Sequence, residues 1–302
     1  MSQAAVLLFI LLAGACLAAP LYEKHVAGRG ASETAVTDTI EVDGERVDVV
    51  SPDGVPIGPG WRAEYLLGAD QLGRDVMVRM LYGGRNSLLV GIVAALITLV
   101  LAVLLGLMAG YLGGFTDRAI SSLFDVMWSF PVLLFAIALG TALALGGLNL
   151  GFTTLEGSSI WIPTVIIGVV FVPYLGRPVR GQVMSLRERP FVEAAVAQGM
   201  GPGRIMFGEI LPNLVSTLLV FTTLIVANNI LTETALSFLG AGIQPPEPSW
   251  GNLIGDGAER IVSAPHLSLV PGAAIALTVL ALNIFGDGLG EALNPRAKVR
   301  VK

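Results

Sequence analysis

The sequence predicts an all-α integral membrane protein with six transmembrane helices and a small β-hairpin in its first extracytoplasmic loop. Three observations predict it. Six long stretches carry no Asp, Glu, Lys or Arg; the period-2 alternation of a membrane β-barrel is missing; and basic and acidic residues segregate between successive loops.

Charged residues are only 14% of the 302, against about 25% in soluble domains. The uncharged runs are Met1–Tyr22, Asn86–Thr116, Val126–Leu155, Gly157–Gly176, Ile210–Thr232 and Ile261–Gly286. Each reaches the roughly 20 residues that a helix needs to cross a hydrocarbon core. Lipid offers the backbone no hydrogen-bond partner, so spans of this kind are helical. Gly106, Gly110, Pro131, Gly140, Gly168 and Pro173 interrupt the runs. Small residues of this kind let helix backbones approach closely.

Charge fixes the expected orientation. Between Arg177 and Pro212 five arginines face three acidic residues, and Arg296, Lys298, Arg300 and Lys302 close the chain. The positive-inside rule puts both segments in the cytoplasm. Two spans separate them, so they agree, and counting back places the N-terminus there too. The Leu21–Glu64 segment, with nine acidic and four basic residues, falls outside. The organisation expected is an N-terminal span over 1–22, an extracytoplasmic loop and amphipathic elbow over 23–86, a five-helix core over 87–292 and a basic cytoplasmic tail over 293–302. The first span is expected to be an uncleaved anchor: Ala13-Gly14-Ala15 resembles a cleavage site, but no basic residue precedes it.

Within the outer loop, alternating β-branched residues flank Asp43-Gly44, a favoured two-residue turn, and predict strands near Asp38–Val42 and Glu45–Val50. The loop reads as a solvated decoration, with a lid or a docking surface as the sharper alternative. The segment from Gly68 through Arg74, Arg79 and Arg85 reads as an elbow whose charges sit at the interface while its apolar side faces lipid. Ser237–Gly257, rich in Gly and Pro, reads as an ordered external loop with short helical turns.

The connector between the fourth and fifth runs carries the most informative pattern. Pro190 suits the first position of a helix, Phe191 to Gln198 continue it, and Gly199 stops it. Gly201-Pro202-Gly203 restarts the chain into a second short helix ending near Ile210, and Leu211-Pro212-Asn213 enters the fifth span. Two short helices on a basic loop form a surface for another protein, or simply join two spans.

Glu193-Ala194-Ala195, Gly199 and the later Leu211-Pro212 resemble the EAA loop of bacterial ABC importer permeases. Glu209 departs from that pattern, standing where an apolar residue is usual. Leu67 to Asp75 and Glu233 to Gly242, continuing through Pro245-Pro246-Glu247-Pro248-Ser249-Trp250-Gly251, are similar to segments of the C-type dipeptide and oligopeptide permeases. The resemblance runs from about Leu67 to Arg296. It implies a type I importer permease fold in the bacterial inner membrane, with peptides as cargo. It also implies four kinds of partner: a second permease, two cytoplasmic ATPase subunits, an extracytoplasmic substrate-binding protein and lipid. Glu193, Ala194, Ala195, Gly199, Leu211 and Pro212 would then couple the chain to an ATPase. No Gly-Lys pair occurs, so no phosphate loop can be formed here, and ATP and Mg would belong to the partner.

Asn228, Asn229 and Glu233 lie in or at the end of the fifth run and either line a pathway or bond neighbouring helices. His25, His266 and Cys16 are isolated, so neither a metal site nor a catalytic set is expected, and nothing points to nucleic acid. Two rival functions remain: an ATP-independent secondary transporter or channel, which would place charges in mid-span, and the same importer class carrying nickel complexes or another small solute.

Overall fold

The computed structural model describes residues 2–42, 44–60, 64–149 and 154–293. Its helices run α1 (Ser2–Leu17), α2 (Ala19–Tyr22, passing into a π turn at Glu23–Ala27), α3 (Val76–Leu112), α4 (Gly114–Trp128) and α5 (Val132–Gly146). After these come α6 (Trp161–Val170), α7 (Val172–Arg187), α8 (Pro190–Ala197) and α9 (Pro202–Arg204, followed by a π segment at Ile205–Ile210). The last three are α10 (Leu211–Phe238), α11 (Trp250–Ala258) and α12 (His266–Leu293). Strands β1 (Thr39–Val42) and β2 (Glu45–Asp48) pair antiparallel, and so do the two-residue strands β3 (Leu148–Asn149) and β4 (Thr154–Leu155).

Four helical stretches are long and apolar enough to cross a membrane: Val76–Leu112, Trp161–Arg187, Pro202–Phe238 and His266–Leu293. Two bent pairs bring the number to six, α1 with the stretch to Ala27 (52°) and α4 with α5 (83°). The expected six-span bundle is present, and so is the hairpin, with Thr39 opposite Asp48 and Val42 opposite Glu45. Its turn residue Asp43 lies outside the described residues, as does the basic tail from 294 onward.

The third span differs from the run that predicted it. Val126–Leu155 is not one helix: the chain breaks at Ser129-Phe130-Pro131, where Pro131 stands in extended backbone ahead of α5. Proline removes a helical N–H and pushes its predecessor out of helical geometry. α4 and α5 therefore meet at 83°, and α4 is tied to α7 by charge. Arg180 forks onto Asp117, its Nη2 lying 2.7 Å from Oδ2, while Arg177 reaches Asp125 at 2.8 Å and lies over the Trp128 ring.

The elbow also differs. Val76 to Leu112 is one helix of 37 residues, and its opening turns look inward. Asp75 caps it, Oδ1 accepting from Met77 N (2.8 Å) and Val78 N (3.1 Å), while Oδ2 accepts from Tyr65 N (2.9 Å). Burial raises the Asp75 carboxyl above its usual range, against the opposing pull of those three N–H groups. Arg79, expected at the interface, is 2% exposed. It lies between Asp70 (3.3 Å) and Asp256 of α11 (3.2 Å), and Arg74 bridges the same two carboxylates. Asp70 and Arg79 are buried against each other, which unpaired charges could not be, while Asp256 reaches them from the exposed side.

The outer loop packs around Ile40, Val49, Val50, Tyr65 and Ala69. It is fastened to the bundle by Ala35 N to Leu72 O (3.0 Å), Ala69 N to Ile57 O (3.0 Å) and Ser32 Oγ to Pro246 O (3.4 Å).

Close approach sets the rest of the packing. A Cβ on Gly106 would lie 2.6 Å from Val179, and one on Gly110 would lie 2.7 Å from the Arg180 carbonyl, so α3 meets α7 almost backbone to backbone. Gly91 presses on Ile230 of α10 in the same way. Thr98 adds a hydrogen bond to the Gly168 carbonyl of α6 at 2.7 Å.

Asp75→Ala removes the helix cap, costing about 1 kcal/mol, and strands the buried Tyr65 N–H, costing a further 1–3 kcal/mol or so. Denaturant titration of the detergent-solubilised protein should show a loss of about 2–4 kcal/mol. A loss below about 0.5 kcal/mol would contradict this account of the α3 start.

Candidate coupling site

The connector folds as its residue types dictate. Arg189 is extended (ψ 147°) and Pro190 opens α8, where a missing N–H costs nothing. The helix ends in a Schellman turn: Gly199 N donates to Val196 O (2.9 Å) and Met200 N to Ala195 O (3.1 Å). Gly199 has φ +79°, the left-handed region, and a Cβ there would meet nothing within 4 Å. Glycine is required at this position for its backbone conformation alone.

α8 has two sides. Val192 and Ala195 are buried in one core cluster with Val183, Ile205 and Ile210. Ala195 is therefore small for the sake of this chain's own packing. Phe191, Glu193, Ala194, Val196 and Ala197 are exposed, and Phe207 on the next turn is half exposed. Glu193 stands in the first turn, where a carboxylate complements the helix dipole.

Between α8 and the end of α3 lies a cleft of about 520 Å³, lined by Tyr111, Leu112, Arg187, Val192, Glu193, Val196 and Ala197. Its floor is apolar, and Arg187 and Glu193 supply one charge of each sign.

Beyond α8 the chain turns at Gly201 and runs without interruption from Pro202 to Phe238. The first part is wide. Pro212 has no N–H to give the preceding turn, and the helix ahead of it relaxes into the π segment, with Asn213 Nδ2 donating to Glu209 O (2.7 Å). Leu211 is half-buried and Pro212 exposed at this end. The structure thus gathers Glu193, Ala194, Ala195, Gly199, Leu211 and Pro212 into one two-helix unit at the foot of α7 and α10.

Asn228, Asn229 and Glu233 are elsewhere. About 21 residues of helix, or some 32 Å, separate Pro212 from Glu233 along the same rod. Asn228 Nδ2 bonds its own helix at Leu224 O (3.0 Å), while buried Asn229 points Nδ2 toward the Gly91 carbonyl of α3 at 3.5 Å. Glu233 is fully buried and Oε1 accepts from Ser237 Oγ at 2.6 Å. Within this chain the three polar residues meet helices. The sequence did not single out Ser87 beside this carboxyl, because it lies on a distant segment.

The fold is thus a helical membrane bundle that presents a short two-helix unit from one end. The family model of the binding-protein-dependent transport system inner membrane component matches residues 102–299. The chain is 44% identical over 239 residues to the dipeptide transport system permease protein DppC of Alkalihalophilus pseudofirmus, covering 79% of this chain and 74% of that one. It is 38% identical to the glutathione transport system permease protein GsiD of Pectobacterium atrosepticum (80% and 76% covered) and 38% identical to the oligopeptide transport system permease protein OppC of Haemophilus influenzae (79% and 72%). Among solved structures, an inward-facing form of the MetNI methionine ABC transporter superposes with a TM-score of 0.56 at 17% identity, over 72% of this chain and 97% of that one. That likeness is one of fold. The chain belongs to the family of binding-protein-dependent transport system inner membrane components, the permease subunits of ABC importers.

Gly199→Ala should cost about 1–2 kcal/mol of local stability, and Gly199→Val, branched and left-handed, more. The chain should still reach the membrane at normal levels, while transport falls at least fivefold. Uptake in membranes carrying equal amounts of each variant checks this, and wild-type uptake by Gly199→Val would remove the connector from the coupling pathway.

Proposed function

We propose that this chain is one of two permease subunits in an ATP-driven importer that moves short peptides into the cytoplasm by alternating access. The observation that carries the reading is α8: a helix closed by a left-handed Gly199, buried on one side against its own chain and open on the other. Such a surface, at the foot of both α7 and α10, suits a protein partner that pushes.

In this reading the partners are a second permease, two cytoplasmic ATPase subunits that hold ATP and Mg, and an external substrate-binding protein. The connector and both termini face the cytoplasm, as the arginines of 177–212 favour. The hairpin loop lies outside. ATP does work here only because it binds the closed ATPase pair better than the open one. Closure brings the α8 helices of the two permeases together, and the spans rock as rigid bodies between inward- and outward-open states. Peptide as cargo rests on the relatives, which are named as transporters of dipeptides, oligopeptides and glutathione.

Proteoliposomes holding the complete complex with its binding protein test the proposal. Di- and tripeptides should accumulate only with ATP inside the compartment corresponding to the cytoplasm, and should raise ATP hydrolysis. Accumulation that ignores ATP and collapses with an ionophore would establish a secondary transporter instead.

A further inference from the structure

Along its buried side, the far end of α10 carries Asn229, Glu233 and Ser237 at a spacing of four, in a region packed by α3 and α11. Glu233 has no exposure. Oε1 accepts from Ser237; Oε2 takes no hydrogen bond at ordinary geometry, although the hydroxyls of Ser87 on α3 and Ser249 at the α11 cap lie beside the same carboxyl.

Each of these serine oxygens already accepts a backbone N–H: Ile243 N on Ser237 (3.0 Å), Trp250 N on Ser87 (3.2 Å) and Asn252 N on Ser249 (3.1 Å). Each hydroxyl proton is therefore available to Glu233, and a carboxylate has enough lone pairs to receive all three. Ile243, Trp250 and Asn252 all belong to the segment that folds back after α10. Gly251 in that segment sits so near the Thr234 carbonyl and Ser237 that a Cβ has no room. Trp250 Nε1 adds a bond to the Met80 carbonyl at 3.1 Å. The segment is thus held to α10 and α3 through three serine oxygens grouped around one buried carboxyl, of which Ser237 bonds it directly.

We propose that Glu233 is a positioning residue for transport: it clamps the returning segment 241–258 to the far end of the Pro202–Phe238 rod, so that movement imposed at the connector reaches the opposite mouth of the bundle. This rests on the reading that a partner drives α8. Glutamine at the same position offers one oxygen in place of two, and its N–H groups face serine oxygens that already hold a backbone donor. The Ser237 bond and the two hydroxyls beside Oε2 cannot all be served by it.

The test uses the complete importer in proteoliposomes, with Glu233→Gln and Ser249→Ala compared with wild type for peptide taken up per ATP hydrolysed, basal ATPase rate and thermal unfolding. Glu233→Gln should assemble, keep its basal ATPase rate within about twofold and lose at least fivefold in peptide per ATP; Ser249→Ala should lose less. A purely structural contact would lower the unfolding temperature and leave the ratio untouched, and an unchanged ratio in either assembled variant overturns the proposal. If Glu233→Gln does not assemble, Ser249→Ala decides by the same ratio. Failure of wild type to couple uptake to ATP would instead overturn the importer reading itself.

Discussion

Lipid gives two apolar helices no hydrophobic reason to associate, so this bundle depends on how closely the backbone of α3 can be approached. Gly106 and Gly110 admit α7 to near contact, and Gly91 admits α10. Those two neighbours are the helices whose feet carry the connector. A side chain on any of these glycines would push one of them outward and carry α8 or the Pro202–Pro212 turn with it. The packing of α3 thus decides where α8 and the Pro202–Pro212 turn stand.

Charges then fix what close packing leaves loose. At the α8 end, Arg177 and Arg180 tie α4 to α7, so the helix leading into α8 is braced from the side. At the hairpin end, Asp70, Arg74, Arg79 and Asp256 join the start of α3 to α11. The buried Asp70–Arg79 pair is costly to break because either loss leaves a desolvated partner. The exposed Arg177–Asp125 pair contributes little on its own and gains from the Trp128 ring beneath it. Between the two ends, α10 is unbroken apart from its wide first turns, and it connects the connector to the buried Glu233.

Much of this was legible from local residue chemistry. The uncharged runs located the spans, the Asp43-Gly44 turn with its flanking alternation located the hairpin, and Pro190 with Gly199 bounded α8 to within a residue. Those signals are local: each element announces itself through its own hydropathy, turn or cap. The misreadings came where distant segments decide. Pro131 was visible, yet the uniform apolarity around it hid a bend of 83°. Arg79 looked like an interfacial charge because its acids, Asp70 and Asp256, lie 9 and 177 residues away. Glu233 stood out as a buried acid, but the serines that surround it come from α3, α10 and the α11 cap, and no periodicity links them.

The central claim is that a partner ATPase seats on the open side of α8, and crosslinking from Ala194 tests it most directly. Ala194 is exposed, whereas neighbouring Ala195 is buried. With cysteine placed at 194 in a Cys16→Ser chain, a short bifunctional reagent applied to native membranes should join this chain to an ATPase subunit, with a yield that changes when nucleotide is trapped. Cysteine at 195 should give little product. A chain labelled freely at 194 by a soluble thiol reagent, yet never joined to an ATPase in any nucleotide state, would contradict the account.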